Sequence, residues 1–325
     1  MFEITPKNAR KWSRLGSRAV FGQAILELAK SLNNLMVLSA DLGSSSGLSR
    51  FKHEYPESFL NVGISEQNMI GVAAGLAKEG FIVFATSFAP FIAMRSSEQI
   101  RMNLGYMDLN IKAVAIGSGV AMNYLGNSHY GIEDASIMRS IPNLTVVSPA
   151  DGSEIFQTVF AAAKHVGPMY IRLTGGIDNP IVYKEDYKFE LGKAITLRVG
   201  SDVTVISNGT MVHESLEAAK ILELEGLSTA VVNMHTIKPL DTSVIDKAVK
   251  SSKLIVSVEE HSVIGGLGGS IAEYKTTLQS APPQVILGLP DHFGKVSERR
   301  HLLETYGLTA KHIANRILKK LESQQ

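Results

Sequence analysis

The chain alternates between short apolar runs and longer stretches with helical spacing. The apolar runs are continuous, without polar positions between, which is typical of strands buried on both faces of a parallel sheet. Between them apolar residues recur at three- and four-residue intervals, which predicts amphipathic helices. The predicted strands lie in 34–41, 81–88, 111–119, 144–151 and 169–176, and again in 202–209, 228–239, 253–261 and 283–290.

A polar segment rich in glycine, proline and charged residues, 176–192, separates the two groups of strands. This composition is typical of a linker, and the chain is long enough for two domains. We predict an α/β fold of two three-layer domains with parallel or mixed sheets, over residues 1–185 and 186–325. The second, smaller domain is expected to end in a helix from residue 310.

The composition excludes several functional classes. The 325 residues include 32 Lys and Arg against 31 Asp and Glu, a net charge of +1, and no basic block indicates nucleic-acid binding. The absence of cysteine excludes disulfides and thiolate metal sites. No run is long enough to predict a membrane span and no apolar leader is apparent, so we expect a cytoplasmic protein.

Ligands of parallel sheets bind beyond the carboxyl ends of the strands, and Glu66 follows such a region at the start of a predicted helix. Ser65 is a candidate N-cap, and Gly80 a candidate end. The carboxylate has two interpretations from the residues alone. It stabilises the helix dipole, or it faces a ligand in an apolar pocket.

A glycine-rich loop, "GNSHYGIED" (126–134), carries His129 ahead of another predicted helix. A histidine there suits general acid–base catalysis or donation to an oxygen that gains charge, although a lone histidine in a loop is more often structural or solvated. The segment "HSVIGGLGGS" (261–270) lacks the spacing of known phosphate-binding loops, so it predicts a tight turn and a helix start.

Several stretches taken together resemble the transketolase-type thiamine-diphosphate enzymes. They include "NVGISEQNMIGVAAGLA", "TSFAPFIAMRSSEQIR" and "SHYGIEDASIMRSIPNLTVVSPAD", followed by "KPLD" and "VEEHSVIGGLGG". Their order matches the pyrimidine-binding and C-terminal domains of that family, and the resemblance covers nearly the whole chain. It implies thiamine diphosphate and Mg²⁺ as cofactors.

The resemblance also implies roles for individual residues. Glu66 would hydrogen-bond N1′ of the cofactor's aminopyrimidine and activate it. Phe91 would stack on that ring, with Phe88 as a pocket wall, although both also suit an ordinary core. His129 would contact an oxygen of the sugar substrate. Asp41 would lie close to the cofactor and a subunit contact.

Substrate positions match the family only in part. Arg18 and Ser45 match positions that hold an acceptor phosphate. Leu125 stands where an aspartate would contact a donor hydroxyl, and the family's phosphate-binding histidine and arginine fall at Gly117 and near Gly175. Arg172, three residues before Gly175, is a candidate replacement for that arginine. The acceptor is therefore not expected to be a simple aldose phosphate.

The chain contains no "GDG" sequence, the motif that binds Mg²⁺ and the diphosphate in this family. The resemblance therefore implies the C-terminal subunit of a split enzyme. Its N-terminal partner, of roughly 250–300 residues, would carry that motif in a dimer of heterodimers. The expected reaction is transfer of a two-carbon unit between small sugars. The alternatives are the β subunit of a 2-oxo-acid dehydrogenase or decarboxylase, and a non-catalytic scaffold subunit.

Overall fold

The structure, a computed structural model, describes residues 3–323 and contains two sheets with helices packed on their faces. The strands in chain order are β1 Leu35–Ser39, β2 Phe59–Asn61, β3 Ile82–Phe88, β4 Ile111–Ser118, β5 Thr145–Val147, β6 Met169–Thr174, β7 Ile195–Arg198, β8 Val203–Ser207, β9 Thr229–Asn233, β10 Thr236–Lys238, β11 Leu254–Ser262 and β12 Gln284–Leu289.

The helices surround these strands on both sides. In chain order they are α1 Pro6–Ala29, α2 Ser49–Glu54, α3 Glu66–Lys78, α4 Ser97–Gln99, α5 Asp134–Ser140, α6 Gly152–Lys164, α7 Met211–Leu224, α8 Thr242–Ser251, α9 Leu267–Lys275, α10 Arg299–Thr305 and α11 Ala310–Glu322. Two π-helical segments, Phe91–Arg95 and Ile100–Tyr106, flank α4. No helix within residues 3–323 is long and apolar enough to cross a membrane.

The first sheet has seven strands in the order β10-β5-β6-β4-β3-β1-β2. Its strands are parallel except β10, which runs antiparallel to β5. Successive residues of β1 belong to opposite faces, since Val37 packs in the cluster of α1 and α6 whereas Leu38 packs in that of α3. Burial on both faces explains why the strand sequences are continuously apolar.

The second sheet has five strands in the order β12-β11-β8-β9-β7, with β7 antiparallel to β9. One face packs on α8 and α9 and the other on α7 and α11. The predicted fold of two three-layer α/β domains is confirmed. The turn and helix start predicted over 261–270 are also confirmed, since α9 begins at Leu267.

The second domain contributes one strand to the sheet of the first. The predicted run 228–239 forms two strands, and the second, β10, leaves the second sheet to pair with β5 of the first. The predicted boundary between residues 185 and 186 lies in the segment that joins β6 to β7. Residues on the C-terminal side of that boundary therefore complete the N-terminal sheet.

Two buried carboxylates lie where the connecting segment meets both domains. Asp151, the N-cap of α6, accepts hydrogen bonds from the backbone N–H groups of Val182 and Tyr183 at 2.7 and 2.8 Å. Glu154 accepts bonds from Asn233 of β9 at 2.9 and 3.0 Å. Burial raises the pKa of Asp151 to about 6 and that of Glu154 to about 7.

The substitution Glu154→Gln tests the assignment of a raised pKa to Glu154 by the pH dependence of stability. Because the folded protein holds the proton of Glu154 more tightly than the unfolded chain, this group's contribution to stability is lost as pH rises from about 4.5 to about 7. Relative to the wild type, Glu154→Gln should therefore gain roughly 1–3 kcal/mol of unfolding free energy between pH 5 and pH 8. Urea unfolding at both pH values measures this difference, and a constant difference would contradict the assignment.

Candidate active site

The first helix of interest, α3, begins at Glu66, and the side chain of Glu66 is only 1% exposed. Ser65 occupies the N-cap position, but its hydroxyl donates to the carbonyl oxygen of Val62 at 2.8 Å and makes no capping bond. Gly80, with φ of 90°, follows the end of the helix as predicted. The helix therefore places a buried carboxylate at its N-terminus.

The carboxylate of Glu66 is bonded to side chains from two other elements. Ser87, near the carboxyl end of β3, donates to Oε1 at 3.1 Å. Arg95, at the end of the first π-helical segment, donates to Oε2 at 2.7 Å. The helix dipole accounts for an acid at this position, but it does not account for these two long-range contacts. Glu66 thus faces a polar site built by neighbouring elements.

Three rings meet beside this carboxylate. The centroids of Phe88 and Phe91 lie 5.8 Å apart, and His129 lies 5.6 Å from the first and 5.2 Å from the second, all in edge-to-face arrangements. Phe88 is buried in the core, whereas Phe91 and His129 are half-buried. The structure therefore brings together four residues predicted for the site, Glu66 and these three.

The loop that carries His129 is held close to β3. The backbone N–H of His129 donates to the carbonyl oxygen of Gly126 at 2.9 Å, and Nδ1 lies 3.0 Å from the hydroxyl of Ser128. A Cβ on Gly131 would lie 2.4 Å from Cβ of Ala89. Glycine at this position permits the close approach that sets His129 against the phenylalanines.

The prediction that Arg172 binds substrate is corrected by its surroundings. Arg172 is 1% exposed, and its Nε donates to both carboxylate oxygens of buried Asp134 at 2.8 and 3.0 Å. Its Nη2 donates to the carbonyl oxygens of Gly131 and of Glu260 in β11. Because its Nε and Nη2 are bonded inside the protein, the guanidinium positions the His129 loop against the second domain.

Asp41 and Ser45 lie in the segment after β1. Asp41 is exposed and adopts a left-handed backbone with φ of 58°. It exchanges two hydrogen bonds with Asn61 of β2, at 2.9 and 3.0 Å. Ser45 is partly buried in the same segment. Through Asn61, Asp41 lies near the segment that leads to α3. The roles assigned to Asp41 and Ser45 stay predictions.

Arg18 lies elsewhere, at the rim of a cavity of about 520 Å³ between the domains. Gly176 and Asn123 line the same cavity, together with Arg299 and Arg300 of the second domain. Because Asn123 belongs to the loop that leads to His129, the cavity opens beside that loop. Arg18 is thus on the same side of the molecule as the ring cluster without being part of it.

At two of the positions that differ from the family, Gly117 and Gly175, the backbone is in the left-handed region that favours glycine. Gly117 has φ of 69°, and a Cβ there would lie 2.3 Å from the sulfur of Met122. Gly175 has φ of 81°, and a Cβ there would meet the side chain of Asn179 at 2.1 Å. A larger side chain at either place would displace Met122 or Asn179 and would strain the left-handed backbone. Leu125 is 51% exposed in a short 3-10 turn and offers no polar atom.

Two residues of the site are missing from the sequence-based prediction. Ser87 and Arg95 bond to Glu66 from 21 and 29 positions away, and such pairing requires the fold. Arg95 is nonetheless visible as a basic residue that ends the apolar run "FIAM". Within residues 3–323, no group of three or more His, Asp or Glu side chains is arranged to hold a metal ion.

Two protein-family models match most of this chain. The model of the transketolase pyrimidine-binding domain matches residues 13–176, and that of the transketolase C-terminal domain matches residues 192–313. The chain belongs to the transketolase family. The resemblance stated from the sequence motifs is thereby confirmed.

Three curated members of the transketolase family illustrate the similarity. A putative transketolase C-terminal section of Methanocaldococcus jannaschii is 41% identical, over 95% of this chain and 97% of that protein. A 6-deoxy-6-sulfo-D-fructose transketolase subunit of a Clostridium species is 39% identical, over 91% of both chains. A 1-deoxy-D-xylulose-5-phosphate synthase of Dictyoglomus turgidum is 35% identical over 93% of this chain, which spans 49% of that protein.

A solved structure described as a split gene transketolase, inactive β4 tetramer, superimposes with a TM-score of 0.85. It is 41% identical in sequence and covers 94% of this chain, which in turn covers 97% of that one. The two-domain architecture is therefore that of the transketolase pyrimidine-binding and C-terminal domains.

The pair formed by Arg172 and Asp134 generates a stability prediction. The substitution Arg172→Met leaves Asp134 buried without its cation, so we expect a loss of about 3–5 kcal/mol of unfolding free energy in urea. Removing both charges with Arg172→Met and Asp134→Asn should recover part of that loss. Lys220→Met, which breaks an exposed pair with Glu217, is the control and should change stability by less than about 1 kcal/mol. An equally small effect of Arg172→Met would contradict the structural role.

Proposed function

We propose that this chain is the C-terminal subunit of a split transketolase that transfers a two-carbon ketol unit between sugars. The single observation that carries the proposal is the carboxylate of Glu66, buried at the start of α3 and bonded from Ser87 and Arg95. It lies in the same site as the half-buried rings of Phe91 and His129. A carboxyl group that can share a proton, together with an aromatic platform, matches the hydrogen-bonding and stacking needs of an aminopyrimidine.

The residues present therefore fit thiamine diphosphate at its pyrimidine end. When bound, the cofactor supplies the electron sink for breaking and forming carbon–carbon bonds. Glu66 would hold a proton at N1′ of the aminopyrimidine, and Phe91 would orient the ring from one side. His129 would donate to an oxygen of the sugar on which charge develops. Phe88 would close the wall behind them and exclude water.

We propose that the diphosphate and Mg²⁺ are held mainly by a partner subunit. The support is the absence of a "GDG" sequence from the chain together with its match to subunit-sized relatives. A dimer of heterodimers in the cytoplasm is the expected assembly. The similar solved structure is described as an inactive β4 tetramer, which is consistent with a chain that associates by itself but needs the partner for turnover.

The substrate proposal is a ketose donor and an aldehyde or ketone acceptor that differ from the usual sugar phosphates. It is supported by Leu125 and by the two glycines at family phosphate positions. The relative named for 6-deoxy-6-sulfo-D-fructose makes that sugar the first donor to test. Arg18 and Ser45 remain the proposed contacts for an acidic group of the acceptor. Asp41 remains a proposed residue close to the cofactor and a subunit contact.

The alternatives are now ranked by the names of the relatives. Two of those compared above are named as transketolase sections or subunits, which favours the transketolase proposal over a 2-oxo-acid dehydrogenase β subunit. A buried carboxylate beside a half-buried ring costs stability, which disfavours a scaffold without catalysis. Decarboxylation of pyruvate by the assembled complex would reverse the first choice.

The experiment that tests the proposal is recovery of the partner. The chain is tagged in its native host, purified gently, and proteins present in equal amount are identified by mass spectrometry. We expect a protein of roughly 250–300 residues with "GDG" and a following Asn. The pair is then assayed with thiamine diphosphate, Mg²⁺ and ketoses. Recovery of the chain without such a protein, and no ketol transfer, would refute the proposal.

Two substitutions test the residues in the assembled enzyme. Glu66→Gln cannot share a proton in the same way, and His129→Asn removes the imidazole, so each should lower kcat by at least about 100-fold without changing assembly. Glu79→Gln, at the other end of α3 and exposed, is the matched control and should retain full activity. Wild-type turnover by Glu66→Gln would remove Glu66 from the mechanism.

A further inference from the structure

The guanidinium of Arg95 makes two contacts at the candidate site. Its Nη1 donates to Oε2 of Glu66 at 2.7 Å, and its Cζ lies 4.2 Å from the ring centroid of Phe91. Phe91 and Arg95 are the first and last residues of one π-helical segment. This local helix geometry, which recurs at functional sites, sets the guanidinium over the ring.

These two contacts are the ones that the proposed function gives to the cofactor. A guanidinium is planar, carries N–H donors and stacks on aromatic faces. An aminopyrimidine held by Glu66 and Phe91 would need the same carboxylate and the same ring. Arg95 therefore occupies the interactions that the aminopyrimidine requires.

We propose that Arg95 is a gate residue, which closes the aminopyrimidine site in the cofactor-free protein and leaves Glu66 when thiamine diphosphate binds. The inference rests on the proposed function and adds a regulatory step to the same site. Arg95 is a positioning residue in this account, because it acts on the availability of Glu66 and does not touch the reacting atoms.

Exposure supports the direction of this movement. The side chain of Arg95 is 45% exposed, whereas that of Glu66 is 1% exposed. Arg95 makes no second ion pair among residues 3–323, and its exposed side has direct access to water. The arginine can therefore move outward, while the carboxylate cannot leave the core.

The exchange keeps the buried carboxylate satisfied at each stage. A buried charge without a partner is costly, and Ser87 alone supplies one neutral donor to Glu66. Without cofactor the second donor is Arg95. In the loaded enzyme Glu66 would take up a proton from solvent and share it with N1′, so that the pyrimidine end of the cofactor replaces Arg95 as its partner. The gate thus keeps the carboxylate of Glu66 paired while the cofactor is absent. It also multiplies the apparent affinity for the cofactor by the fraction of molecules in which the gate is open.

The first test measures thiamine diphosphate binding by equilibrium dialysis with Mg²⁺, using the chain assembled with the partner subunit that would hold the diphosphate. Arg95→Met removes the competing cation but keeps an apolar side chain of similar length. We expect it to bind at least about tenfold more tightly than the wild type, or about 1.4 kcal/mol. Arg95→Lys, which keeps the charge but loses the planar group, should fall between them. Equal, weaker or undetectable binding by Arg95→Met would overturn the proposal.

A second readout uses the wild-type chain in the same assembly, so it does not depend on how the variant folds. Phenylglyoxal modifies accessible arginines, and peptide mass spectrometry reports the rate at Arg95. Thiamine diphosphate should accelerate modification of Arg95 at least threefold, because the guanidinium leaves its partner. Arg101, exposed in the same helical stretch, is the internal control and should not respond. A slower or unchanged rate at Arg95 would show that it stays with Glu66.

Adding Glu66→Gln to both backgrounds separates this inference from the proposed function. If the cofactor is held by Glu66, the double variant Glu66→Gln, Arg95→Met should bind more weakly than Arg95→Met alone. Loss of affinity with Glu66→Gln, but no gain with Arg95→Met, would reject the gate and retain the function. A gain with Arg95→Met that is indifferent to residue 66 would reject the role of Glu66.

Discussion

The need to satisfy one buried carboxylate organises the candidate site. Glu66 is the first residue of α3, the helix that follows β2, and its side chain is buried. Its two oxygens require donors that the neighbouring sequence does not provide. Ser87 and Arg95 supply them from β3 and from the π-helical segment. The same segment carries Phe91, so satisfying the carboxylate also fixes the aromatic platform and, through it, the place of His129.

The second domain contributes to this site without supplying a ring or a carboxylate to it. Arg172 joins the His129 loop to β11 by donating to Gly131 and Glu260 at once. Glu260 in turn accepts from the backbone N–H of Val120, at 2.9 Å, and pairs with Arg299 of α10. Together with β10, which completes the first sheet, these contacts make the second domain part of the frame that positions His129.

The fold was largely accessible from sequence because buried parallel strands are continuous apolar runs, and β3, β4 and β6 fall within the predicted segments. The strand β2 is not predicted, since three residues carry too little pattern. The strand β10 is merged with β9 in the predicted run 228–239, because it is defined by pairing with a distant strand. The family motifs gave Glu66 and His129. They could not give Arg95, or the burial of Arg172, because both depend on contacts made across the fold.

The most direct test of the central claim is native mass spectrometry of the chain mixed with its N-terminal partner, thiamine diphosphate and Mg²⁺. The account predicts an assembly of two copies of each chain with two cofactors, while either subunit alone retains less than one cofactor per pair of chains. Stoichiometric cofactor on the partner alone, unaffected by this chain, would contradict the claim that the pyrimidine end of the site is built here.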